Sequence, residues 1–171
     1  MQNAQVREIR PACTPFAPRR ILVVEDDRHD QERIRRLFRY LTTEVILDFA
    51  TAIADARQRL QKVPPQAIVL DNGLPDGLGI DLALELSRSP ASAETPTFII
   101  SDWPSPFMHE KAEAAGVHAV FCKSEFGARQ AFEILRRMNC SDLQLARSVR
   151  QKEKRPTQAS VISREWAGPE S

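Results

Sequence analysis

Two kinds of apolar pattern alternate along the chain. Short runs without polar alternation occur at Ile21–Val24, Ala67–Leu70, Thr97–Ile100 and Ala119–Phe121. Runs of this length between turn residues predict strands covered on both faces, as in a parallel sheet. A partly polar stretch, Glu44 to Phe49, predicts a further strand second in chain order. Between the runs, apolar residues recur at helical spacing. Ile34, Leu37, Phe38 and Leu41 predict a first helix with Asp30 as its cap. Ile53, Ala56 and Leu60 predict a second, capped by Thr51 and stopped by Pro64-Pro65. Leu82, Ala83 and Leu86 lie in a third helix from about Leu78 to Arg88. Ser105 as N-cap, with Pro106 in the first turn, opens a fourth that ends at Gly116. Ala131, Ile134, Leu135 and Met138 form one face of a fifth, with a continuation through Leu143 and Leu145.

Five strands alternating with five helices predict an α/β fold, a doubly wound five-stranded parallel sheet with helices on both faces. Residues 1–18, with Pro11, Pro15 and Pro18, read as a flexible N-terminal extension. The folded domain spans 19–140, and 141–171 reads as a C-terminal extension, partly helical or disordered.

Composition narrows the function classes. A net charge of +1 over 171 residues gives no global attraction to nucleic acid or to acidic membranes. The apolar runs are too short to cross a bilayer, and the N-terminus carries no apolar core of a secretory signal. Cys13, Cys122 and Cys140 match no metal-binding spacing and read as reduced thiols of a cytoplasmic protein.

The candidate chemistry lies at the strand ends. The first strand ends on Glu25-Asp26-Asp27, the third on Asp71, the fourth on Ser101, and Lys123 follows the fifth. In a parallel sheet these ends share one edge, where open α/β sheets bind ligands. Each residue has an ordinary alternative: Asp71 as a turn aspartate, Asp26 and Asp27 as acids at a helix start, Ser101 as a turn serine, Lys123 as a solvated lysine. Together, three carboxylates, a hydroxyl and an ammonium converge on one crevice. Carboxylates so placed favour a divalent cation such as Mg²⁺, and a carboxylate can act as nucleophile toward phosphorus.

This set resembles the receiver domain of two-component response regulators. The resemblance rests on Asp26-Asp27, on Asp71 with Pro75 and Gly79 after it, on Ser101 and on Lys123, and it covers about 19–140. It implies strand order 2-1-3-4-5, as in flavodoxin-like folds. It implies that Asp71 accepts a phosphoryl group from a sensor histidine kinase or phosphotransfer protein. It implies Mg²⁺ held by Asp26, Asp27, Asp71 and the backbone carbonyl of Gly73, with Ser101 and Lys123 contacting phosphoryl oxygens.

Three positions depart from the pattern. Asp102 follows Ser101 where a small residue is usual, Val120 stands where an aromatic switch residue is usual, and Ser124 replaces a proline after the lysine. The expected function is a stand-alone phosphoacceptor of a bacterial phosphorelay, not an enzyme beyond its own phosphorylation and dephosphorylation. Its output passes through an unidentified protein target, without direct contact to nucleic acid or membrane. The alternative is a pseudo-receiver, a binding module without phosphoryl transfer. An aspartyl-phosphate hydrolase ranks below both, because Gly73 stands where its second acid belongs.

Overall fold

The computed structural model describes residues 19–138. The expected extensions 1–18 and 141–171, the helical continuation through Leu143 and Leu145, and Cys13 and Cys140 lie outside the described residues.

The elements follow in order: β1 (Arg19–Val24), α1 (Arg28–Leu41), β2 (Val45–Ala50), α2 (Ile53–Lys62), β3 (Ala67–Asp71), β4 (Gly73–Leu74), β5 (Gly77–Leu78), α3 (Gly79–Ser87), β6 (Thr97–Ser101), α4 (Pro106–Ala114), β7 (Ala119–Cys122) and α5 (Ala128–Arg137). A single 3₁₀ turn, Lys123–Glu125, joins β7 to α5. The main sheet is parallel with order β2-β1-β3-β6-β7. Counting its own five strands alone, this is the expected 2-1-3-4-5. β4 and β5 form a separate two-residue antiparallel ladder inside the stretch read from sequence as a plain turn.

Strand alternation divides the core. Leu22, Val24, Ile68, Leu70 and Ile99 join Ile53, Ala56, Leu82, Ala83, Met108 and Ala112 on the face covered by α2, α3 and α4. Ile21, Val23, Val69, Phe98 and Ile100 join Ile34, Phe38, Ala131, Ile134 and Leu135 under α1 and α5. Phe38 is 2% exposed. Truncating such a side chain to alanine costs about 3–5 kcal/mol, because the cavity adds to the lost transfer energy.

Register then places the site. Val24 lies opposite Ala50 and Leu70. Asp71 lies opposite Ile100, and Ser101 opposite Cys122. The carboxyl ends of β1, β3, β6 and β7 therefore meet at one edge.

Two helix caps differ from the sequence expectation. α1 is capped by Asp27 rather than Asp30, through the amides of His29 and Asp30. α2 has Ala52 at its N-cap, with no cap from that side chain. Its first amides, those of Ile53 and Ala54, donate instead to the two Asp76 oxygens at 2.8 and 2.9 Å. Thr51 is therefore not the cap. Ser105 does cap α4, accepting from the Met108 amide, and Gly116 follows that helix with φ of 65°. No helix among the described residues is long and apolar enough to cross a membrane.

Candidate functional site

Asp71 is the last residue of β3 and is 6% exposed. One of its oxygens, Oδ1, accepts from the Gly73 amide at 3.3 Å. The other, Oδ2, accepts from Lys123 Nζ at 3.0 Å. Lys123 opens the turn after β7 and is itself buried. Its ammonium also lies 3.1 Å from Glu25 Oε2 and 3.1 Å from Asp30 Oδ2. Burial alone pushes its pKa down, but the hydrogen bonds to Asp71 and Asp30 and the charges of Glu25 and Asp71 outweigh that and raise it. Lys123 therefore stays charged, and stripping it of its partners would leave a buried cation uncompensated.

Glu25 is the most enclosed of these acids, at 2% exposure. Burial, and then the charge of Asp71, push its pKa up to about 7. Oxygens of Glu25, Asp26 and Asp71 all lie within 4.8 Å of one another. Asp26 is exposed, so this group opens to solvent on one side.

Sequence reasoning expected the acidic set to be Asp26, Asp27 and Asp71. The structure brings Glu25 together with Asp26 and Asp71 and leaves Asp27 out. Asp27 Oδ1 instead accepts the His29 amide at 2.7 Å and the Asp30 amide at 2.9 Å. Those two N–H groups hold its carboxyl below the usual carboxylate range. A helix start satisfies its orphan amides with a nearby side-chain oxygen, and Asp27 is the acid in position to serve. α1 begins at Arg28, two residues before the expected cap Asp30, which makes Asp27 the residue at its N-cap.

Ser101 ends β6, 7% exposed, and its Oγ accepts the Trp103 amide at 3.3 Å. Asp102 is exposed on the following bend, and its carbonyl faces Cys122 Sγ at 3.6 Å. Gly73 is exposed at the start of the small ladder. Gly79 closes the loop against Asp71, with its amide donating to the Asn72 carbonyl at 3.1 Å.

Val120 and Phe121 divide between the two faces of the sheet. Val120 packs with the cluster under α3 and α4, whereas Phe121 packs with the cluster under α1 and α5. Phe121 stacks on Phe98 with centroids 6.1 Å apart. The neighbouring aromatic thus cannot stand in for the missing one at position 120. Arg33, which sequence reasoning read past, donates from Nη1 to the Lys123 carbonyl at 2.9 Å.

A family model described as the response regulator receiver domain matches residues 21–136. The chain belongs to that family. A curated relative of this receiver is Protein RcaC of Microchaete diplosiphon, 29% identical over 127 residues. That match takes in 72% of this chain but 19% of the relative, so the receiver spans about a fifth of that protein. Among solved structures, a two-component response regulator from Legionella pneumophila superposes with a TM-score of 0.66 at 19% identity, covering 71% of this chain and 98% of that one. The Mn²⁺-bound form of response regulator Rcp1 gives 0.62 at 19% identity, covering 75% and 95%. At these identities the structural matches establish the receiver fold.

Proposed function

We propose that this receiver takes a phosphoryl group on Asp71 from a sensor histidine kinase or a phosphotransfer protein, in a bacterial two-component pathway of the cytoplasm. The observation that carries the reading is the bond from the buried Lys123 ammonium to Asp71 Oδ2, 3.0 Å long, at the mouth of the strand edge. An Asp71 oxygen attacks phosphorus. A P–O bond forms, the donor's bond to phosphorus breaks, and the electron pair leaves with the donor. Lys123 and the Ser101 hydroxyl then neutralise oxygens of the transferred group. Attack by water later returns the free carboxylate and inorganic phosphate.

The residues fit Mg²⁺. Glu25, Asp26 and Asp71 present oxygens within 4.8 Å of one another. An acid whose pKa is raised to about 7 by burial and by Asp71 gains from a nearby cation. The Gly73 carbonyl would complete the protein ligands, with phosphate oxygens and water supplying the rest. When bound, Mg²⁺ offsets charge on the phosphoryl oxygens. Output then runs through contact with a downstream protein rather than through nucleic acid or membrane.

A pseudo-receiver that binds partners without phosphoryl transfer is the second reading, favoured by Asp102 beside Ser101 and by Val120. Intact mass after incubation with acetyl phosphate and Mg²⁺ separates the two. The first reading expects a gain of one phosphoryl group, and the second expects none.

A further inference from the structure

Lys123 is held by more than the acids of the strand edge. Asp30, in the first turn of α1, places Oδ2 3.1 Å from Lys123 Nζ. The other oxygen of Asp30 lies 3.2 Å from Arg33 Nη2, one turn further along the helix. The same guanidinium reaches over with Nη1 to the backbone carbonyl of Lys123, at 2.9 Å. One residue is therefore gripped at its ammonium and at its backbone by two residues of a single helix. The grip has a cost: Arg33 Nε is buried without a partner. A buried donor left unmatched is the exception in folded proteins, and here it accompanies the two Nη contacts to Asp30 and to the Lys123 carbonyl.

We propose that Asp30 and Arg33 are positioning residues for Lys123, holding its ammonium back on α1 and so restraining phosphoryl transfer. The inference rests on Asp71 as phosphoacceptor and concerns what limits the rate there. The three N–H groups of the ammonium face Glu25, Asp30 and Asp71, so to serve a phosphoryl oxygen it gives up one partner, and Asp30 is the one outside the acidic group of the strand edge. No proton is exchanged in this movement, since Lys123 is charged throughout. Asp30 opposes the movement in two ways. It competes directly for the ammonium, and its negative charge, one lysine away from Asp71, repels an anionic donor.

The test uses the full chain at saturating Mg²⁺, with acetyl phosphate as donor, comparing wild type, Asp30→Asn, Asp30→Glu and Asp71→Asn. The asparagine removes the charge and nearly preserves shape. It should label about three- to tenfold faster, chiefly by lowering the donor concentration that gives half the maximal rate. The longer carboxylate of Asp30→Glu should restore the wild-type rate, which a merely structural role for Asp30 would not predict. Alongside, the ¹⁵N resonance of the Lys123 ammonium, assigned by its loss in Lys123→Ala, should shift or broaden in Asp30→Asn and in Arg33→Gln. An unchanged resonance in Asp30→Asn overturns the placement, whatever the labelling does. A shifted resonance with a wild-type labelling rate overturns the restraint. A wild type that takes no label defeats the phosphoacceptor reading instead, and with it the restraint on transfer, while the resonance still decides whether Asp30 places Lys123.

Discussion

A Cβ added at Gly79 would lie 2.2 Å from the backbone oxygen of Asp71. The carbonyl carbon of Asp71 would be 3.0 Å away and Asn72 Cα 3.2 Å. The glycine eight residues after Asp71 is thus required by close approach of backbone to backbone, which no side-chain adjustment relieves. Gly79→Ala should cost about 1–3 kcal/mol or more, the usual penalty of overpacking, and should move Asp71 with the loop. Thermal melts check this against Gly73→Ala, where an added Cβ meets nothing within 4 Å. A Gly79→Ala protein as stable as Gly73→Ala would contradict the packing described.

Asp26 and Asp27, adjacent in sequence, should behave differently when replaced singly. Asp27→Ala removes the acceptor for the His29 and Asp30 amides and should lower the melting temperature by a few degrees. Its Mg²⁺ affinity should stay close to wild type. Asp26→Ala should weaken Mg²⁺ binding about tenfold or more while changing the melting temperature little. Calorimetric titration with Mg²⁺ beside thermal melts distinguishes them. The reverse pattern would restore Asp27 to the metal site.

The same pair shows what could be read from sequence. Asp71, Ser101 and Lys123 were legible because each ends or directly follows an apolar run, and the parallel sheet brings such ends to one edge. The strand order followed from the family resemblance. The sequence points to Asp26 and Asp27, whereas the structure groups Glu25 with Asp26 and Asp71; three acids follow Val24, and the strand pattern alone does not show which of them turns inward. The Asp76 cap was not legible, since it lies 23 positions from Ile53 in sequence. Nor was the grip of Asp30 and Arg33 on Lys123, some 90 positions away, because nothing in a local helical pattern indicates which distant backbone an arginine will meet.

Glu25 gives the site a pH dependence whose sign is fixed. Its folded-state pKa is raised from 4.5 to about 7, by burial first and then by the charge of Asp71. In metal-free protein its contribution to stability is therefore full below about pH 4.5 and is lost as pH rises through about 7. Mg²⁺ binding runs the opposite way, because the ligand is the ionised form. Affinity should rise about tenfold between pH 6 and pH 8, the change expected of one proton released near neutrality. Titrations at the two pH values should show this slope in wild type and a flatter one in Glu25→Gln. Equal slopes would exclude Glu25 as the titrating ligand.

Asp102 is exposed, which limits its influence on an incoming anionic donor. A surface charge near the pocket is largely screened by water, so Asp102→Ala should quicken labelling by acetyl phosphate about two- to fivefold at low salt. The difference should shrink as salt is raised. Identical time courses at low salt would show that this charge does not reach the phosphoryl pocket.

Asp71 as the nucleophile toward phosphorus leaves a direct chemical trace. An aspartyl phosphate is an acyl phosphate, and borohydride reduces it to homoserine at the modified position. Wild-type protein incubated with acetyl phosphate and Mg²⁺, reduced, digested and sequenced by mass spectrometry should carry homoserine at position 71. Asp71→Asn should carry none. Homoserine at another aspartate, or none in wild type after complete exposure to the donor, would contradict the account.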